Sequence, residues 1–165
     1  MEGLYPWIVF LHVAAAFGFA MGHGVSMFVS DQVRRERDPV RIRSLLELSS
    51  SSLATVYGAL AVMVLTGIVA GVMGGHFNRF WIWLSLGILV AIAVAMYLLA
   101  SRYYALVRHA VGLPSYLDPK GAPPPEPASV EELDQLLRTK RPDVIALVGS
   151  AGFLAVLWLM MAKPF

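Results

Sequence analysis

Residues 4–29 read LYPWIVFLHVAAAFGFAMGHGVSMFV and contain no Asp, Glu, Lys or Arg. A helix of that length rises 1.5 Å per residue and clears the roughly 30 Å hydrocarbon core of a bilayer. Three further runs have the same character, at 53–73, 80–101 and 144–161. Lipid offers no hydrogen bonds, so each run must satisfy its own backbone, which a helix does. The composition agrees: 58% of the 165 residues are hydrophobic and the mean hydropathy is +0.66. The expectation is an all-α integral membrane four-helix bundle, a single transmembrane domain over residues 1–165. Its helices are expected at about 4–37, 39–74, 80–111 and 142–163. The first run is longer than the apolar region of a secretory signal and has no basic stretch ahead of it, so it reads as a retained helix.

Charge sets the expected topology. Arg34, Arg35, Arg37, Arg41 and Arg43 lie between the first two runs. Arg102, Arg108, Lys120, Arg138, Lys140 and Arg141 lie between the last two. Only Arg79 and Lys163 fall on the opposite side. By the positive-inside rule the arginine-rich loops are cytoplasmic and both termini are on the outer side. Trp7, Trp81, Trp83 and Trp158 then fall toward the outer interface, and Tyr57, Tyr103 and Tyr104 toward the inner one. The sequence pI near 9.1 therefore reports topology and does not point to nucleic acid.

Local signals mark the joints. Asp38-Pro39 reads as an N-cap followed by proline at the first helical position. The turn GGHFNR, residues 74–79, is short enough to make the second and third helices an antiparallel hairpin. The cytoplasmic segment 112–141 combines a proline-rich, extended and solvated linker with a short amphipathic helix, SVEELDQLLRTKR, whose Ser129 and Glu132 form a capping box. On the first helix Ala15, Gly18, Gly22 and Ser26 share one side, with Phe10, Val13, Phe17, Met21 and Phe28 roughly opposite. The small side suits a neighbouring helix and the bulky side suits lipid. Matching small stripes are expected at Ser52, Thr55, Ala59, Thr66 and Ala70 on the second helix, and at Gly87, Ala91 and Ala95 on the third.

Two histidines stand in the first helix. His12 and His23 are eleven residues apart, about three turns and ~16 Å, on nearly one azimuth beside the small face. An ionisable group inside a membrane bundle is a functional candidate. One reading is b-type haem ligation, since a neutral imidazole binds haem iron and flanking glycines leave room for the macrocycle. By depth His76 pairs with His12 and His109 with His23, so the cofactor-binding candidates are His12, His23, His76 and His109. A second reading makes His12 and His23 metal ligands on a copper path with Met21, Met27, Met160 and Met161, because imidazole and thioether suit soft metals. A third gives each histidine only a hydrogen bond to a neighbouring helix, with Ser26, Thr55, Thr66 or a backbone carbonyl as partner. Every Asp and Glu lies outside the apolar runs, which excludes paired-carboxylate chemistry in the membrane. The chain has no cysteine, which excludes disulfides and thiolate sites.

The stretch FLHVAAAFGFAMGHG, residues 10–24, together with VLTG at 64–67 and the close LMMAKPF at 159–165, resembles a superfamily of small bacterial membrane proteins. It includes the copper-resistance D family, the membrane-bound protoporphyrinogen oxidases and, most similar, a predicted integral-membrane family of unknown function. The resemblance implies a multi-pass protein of the bacterial inner membrane and, through the oxidase family, a haem at His12. That family also carries a lysine early in its third helix. The matching stretch here, RFWIWLSLGIL at 79–89, has none, which argues against oxidase activity. The reading that results is a haem-b-binding redox component, or an accessory subunit of a membrane redox complex, without independent catalytic activity. Its partners are the lipid bilayer and other membrane subunits or a second copy. The alternatives are a non-catalytic structural or assembly subunit and a copper-handling membrane protein.

Overall fold

A computed structural model describes residues 3–164, and among these the only regular structure is helical, with no strand. The helices are α1 (Tyr5–Arg35), α2 (Pro39–Met73), α3 (Phe80–Met96), α4 (Arg102–Ala110), α5 (Val130–Leu137) and α6 (Arg141–Ala162). A π-helical turn, Tyr97–Ser101, joins α3 to α4 in one continuous rod. Four helical stretches are long and apolar enough to cross a membrane: α1, α2, the α3–α4 rod and α6. The protein is a multi-pass, four-helix membrane bundle.

Helix ends follow local chemistry. α1 stops at Arg35, and Glu36 turns extended at ψ 148°. Asp38 is also extended, as a residue before proline must be. Its carboxylate accepts the Val40 N–H at 2.9 Å, capping α2. α5 opens with the reciprocal capping box: Ser129 Oγ accepts from Glu132 N–H, and Glu132 accepts from Ser129 N–H at 3.0 Å. Gly75, at φ +64°, makes the left-handed step that ends α2 and starts the turn toward α3.

The helices pair as α1 with α2 and α3 with α6, while α1 meets α6 only briefly. Gly18 and Gly22 seat α1 on α2, against Ala59 and Val56. Without a hydrophobic drive between helices in lipid, such close backbone approach supplies the attraction. Phe17 and Met21 face away, 69% and 73% exposed, as the bulky face requires. Three expectations need correction. α2 and α3 are joined by a short turn but do not pack as a hairpin; they meet only near the turn, where Gly71 lies under Phe77 and Ile82. On α3, Gly87 and Ala91 face outward, and the packed side carries Ser85, Ile92 and Met96 instead. α3 is apolar all round, so its own pattern names no inner face. Thr55 on α2 is likewise exposed.

The arginine-rich end is closed by a core of soluble type. Val33 of α1, Ile42 and Leu46 of α2, Val107 of α4, Leu133 and Leu137 of α5 and Ile145 of α6 are buried together. Ion-paired charged side chains surround this end, as in a soluble domain, where burial contributes about 1.5–3 kcal/mol per large aliphatic side chain. The linker takes part. Leu113 and Ser115 are buried, Ala128 N–H donates to Ala110 O, and Gly112 sits against Pro127. The expected solvated linker is thus half docked, because its apolar residues have a core to join. Arg34 pairs with Asp143, and Arg37 reaches Asp134 at 2.8 Å, tying α1 to α6 and α5. Tyr103 is buried in this core. At the opposite end Trp81, Ile82 and Leu159 form a second cluster. Trp81 is core there, while Trp7, Trp83 and Trp158 remain exposed. Tyr5 contacts His76 and Lys163 lies over Trp81, so both ends of the described chain gather at this end of the bundle.

Candidate functional site

The four histidines occupy four separate settings. His12 leans from α1 onto α2, and its Nδ1 lies 2.7 Å from the carbonyl oxygen of Met63. A carbonyl only accepts, so Nδ1 carries a proton, and in the neutral ring the lone pair is on Nε2. The ring can come this close because residue 67 is glycine: a Cβ there would stand 2.8 Å from His12 Cε1 and 3.0 Å from Nδ1. Thr66 Oγ1 donates chiefly to Val62 O at 2.6 Å and lies 3.3 Å from Met63 O, so that carbonyl accepts from the imidazole at the shorter distance and shares its second lone pair with the threonine. The LH of α1 and the VLTG of α2 therefore meet at one point of the α1–α2 interface.

His23 lies three turns further on, against a different helix. Its ring stacks on Phe19 with centroids 5.7 Å apart and planes 6° from parallel. Its Nε2 lies 3.1 Å from where a Cβ on Gly149 of α6 would stand. It borders a cleft of about 280 Å³ between α1 and α6, shared with Met27, Ser150 and Phe153. No hydrogen bond from a described residue reaches its ring. Ser26, offered above as a partner, instead joins Ser49 and Ser52 of α2.

The rim histidines have partners of their own. His76 Nε2 is 3.2 Å from Tyr5 Oη, and its ring tilts against Trp81. His109 Nε2 is 2.8 Å from Asp118, whose second oxygen accepts the Ser115 N–H. Among the described residues no group of three or more His, Cys, Asp or Glu is placed to hold a metal. Met21 points out of the bundle, away from His23, and Met27 points in. One residue beside His23 was missed by sequence reasoning: Met96 of α3, whose methyl carbon stands 2.8 Å from the same Gly149 position. Nothing in its local sequence separates it from an apolar filler. Compared with known proteins, the chain matches no family model, no curated protein and no solved structure.

Proposed function

We propose that this multi-pass protein binds one b-type haem through His12 Nε2, as a redox component or accessory subunit of a larger complex in the bacterial cytoplasmic membrane, with both termini outside. The observation that carries the reading is the Nδ1–H bond to Met63 O. Ligating histidines characteristically donate their other ring N–H to a carbonyl or carboxylate, which fixes the tautomer and aims the lone pair. His12 has this arrangement, and Gly67 makes room for it. The haem would supply one-electron chemistry. The chain's own residues orient the ligand: Met63 O holds the proton on Nδ1 and Gly67 sets the ring's position. The resemblance at LH supports the same residue. His76 and His109 are bonded to Tyr5 and Asp118, so each would have to give up that bond to serve as second ligand.

One observation favours the rival reading of a non-catalytic structural or assembly subunit. The bond from His12 to Met63 O is by itself an adequate reason for an imidazole at this interface. The absorption spectrum of protein purified from haem-replete cells separates the two. A Soret band lost in His12→Ala supports the haem; a colourless, folded protein that ignores added haemin supports the structural subunit.

A further inference from the structure

Two arginines are half-buried, Arg34 and Arg108, and they are satisfied differently. Arg34 pairs with Asp143. Arg108 of α4 has no carboxylate partner among the described residues. Its Nε donates to Pro114 O at 2.7 Å and its Nη1 to Ser50 Oγ at 2.8 Å. The Ser50 hydroxyl is itself spent on Leu46 O at 2.9 Å. Asp118, the acidic residue nearest to Arg108 in the chain, is taken by His109 and by the Ser115 N–H. Arg102, Lys120, Lys140 and Arg141 at the same end also lack a carboxylate, but they are exposed and water can hydrate them. A guanidinium partly withdrawn from water and met only by neutral oxygens still favours an anion.

The surrounding fold points to the kind of anion. α2 and the α3–α4 rod touch near their two ends: Gly71 lies under Phe77 and Ile82 at one, and Ile42 and Leu46 are buried with Val107 at the other. Between those ends they part, and in a bilayer acyl chains fill such a space. Arg108 spans one end of this opening, since its Nη1 reaches from α4 to Ser50 of α2. Ser50 lies just before the charge-free run 53–73, which puts the guanidinium at headgroup depth. The linker that Arg108 pins at Pro114 agrees. Tyr116 and Leu117 follow there at 69% and 42% exposed, a pair suited to the membrane interface. We infer that Arg108 holds the phosphate of one anionic phospholipid whose acyl chains fill the opening between α2 and the α3–α4 rod. A guanidinium takes a phosphate through paired N–H bonds, and no described residue accepts from Nη2. A zwitterionic headgroup would bring its own cation beside the arginine, so the anionic lipid is preferred. The site shares no residue with the haem reading and does not depend on it.

Full-length protein stripped of lipid in mild detergent tests this, titrated with phosphatidylglycerol or phosphatidylcholine of identical chains and followed by native mass spectrometry. One phosphatidylglycerol should be retained per chain at concentrations where phosphatidylcholine is not. Arg108→Gln should weaken that retention about fivefold or more. Arg102→Gln, at an exposed arginine of the same helix, should leave it unchanged. Excess inorganic phosphate should not displace the lipid, because the acyl chains in the opening hold it as well. Circular dichroism reports on the fold of both variants, and the comparison of the two lipids on wild-type protein needs neither. Equal retention of the two lipids by wild type, unchanged retention in folded Arg108→Gln, or release of the lipid by inorganic phosphate would each overturn the proposal.

Discussion

His12 and Gly67 are fitted to one another across the α1–α2 interface: a Cβ on residue 67 would stand 2.8 Å from the imidazole Cε1. That contact sets the distance from Nδ1 to Met63 O, and so the tautomer on which the proposed ligand role rests. Gly67→Ala should push the ring off α2 and lengthen or break that bond. The expected cost is about 1–3 kcal/mol, from overpacking and the lost partner. Gly58→Ala, on the same helix with open space around it, is the control. Reversible unfolding in mixed detergent measures both, and equal stability of the two variants would remove the significance given to Gly67.

The glycines of α1 offer a tighter comparison, two residues apart. A Cβ at Gly22 would lie 2.7 Å from Val56 Cγ2, whereas Gly24 has nothing within reach. Gly22→Ala should destabilise the α1–α2 pair by about 1–3 kcal/mol. Gly24→Ala should be neutral or gain a few tenths of a kcal/mol from helix propensity. A Gly22→Ala variant as stable as wild type would show that α1 and α2 do not meet along this face.

Sidedness rests on the eleven basic residues at one end of the bundle against two at the other. Cysteine introduced at Arg35 and at Asn78, both exposed, should react with an impermeant maleimide from opposite sides of the membrane. Asn78 should label in intact cells and Arg35 only after permeabilisation. Labelling of both from one side would contradict the bundle's orientation and its span count together.

The cap at the arginine-rich end should loosen in acid. Arg138, with help from Arg37, holds the Asp134 carboxyl below its ordinary pKa, and the N–H groups of Asp38 and Arg37 do the same for Glu36. A carboxylate with a depressed folded pKa contributes its stabilisation fully above the unfolded value and loses it as pH falls through the folded one. Both carboxyls are half-buried but in contact with solvent, so the effect is small and salt-sensitive. Hydrogen-exchange protection factors in 126–140, corrected for the intrinsic rate at each pH, should stay high near neutrality and fall below about pH 4. Protection unchanged to lower pH would mean that the apolar contacts of Leu133 and Leu137 hold α5 alone.

Sequence patterns revealed the spans, the caps and the first helix's faces, and each for a local reason. Charge-free runs, Asp38-Pro39, Ser129 with Glu132, and small residues opposite bulky ones act within a few turns of their own backbone. Partner choice was not legible. In lipid an apolar side chain is equally at home facing a helix or an acyl chain, so nothing in α3 distinguishes Met96 from Val90. The pairing of α3 with α6, and not with α2, depends on Gly149 and Gly152, whose missing side chains admit Met96 and Ile92 from another helix. The docking of residues 111–115 was hidden for a similar reason. Prolines nearby signal irregular backbone, but whether irregular backbone is solvated depends on a core assembled from distant segments. His12 and His23 were visible as candidates, yet the partners that divide them, Met63 with Gly67 and Gly149 with Met96, lie on other helices.

The central claim is that His12 Nε2 holds a haem iron. Haemin titration of the purified protein, followed at the Soret band, tests it most directly, with His12→Ala and His23→Ala alongside. The account predicts a saturable red-shifted band at one haem per chain in wild type and in His23→Ala. It predicts loss of that stoichiometric band in His12→Ala, with the fold retained by circular dichroism. A featureless titration of folded wild-type protein, or an identical band in His12→Ala, would contradict it and leave His12 as a packing residue bonded to Met63.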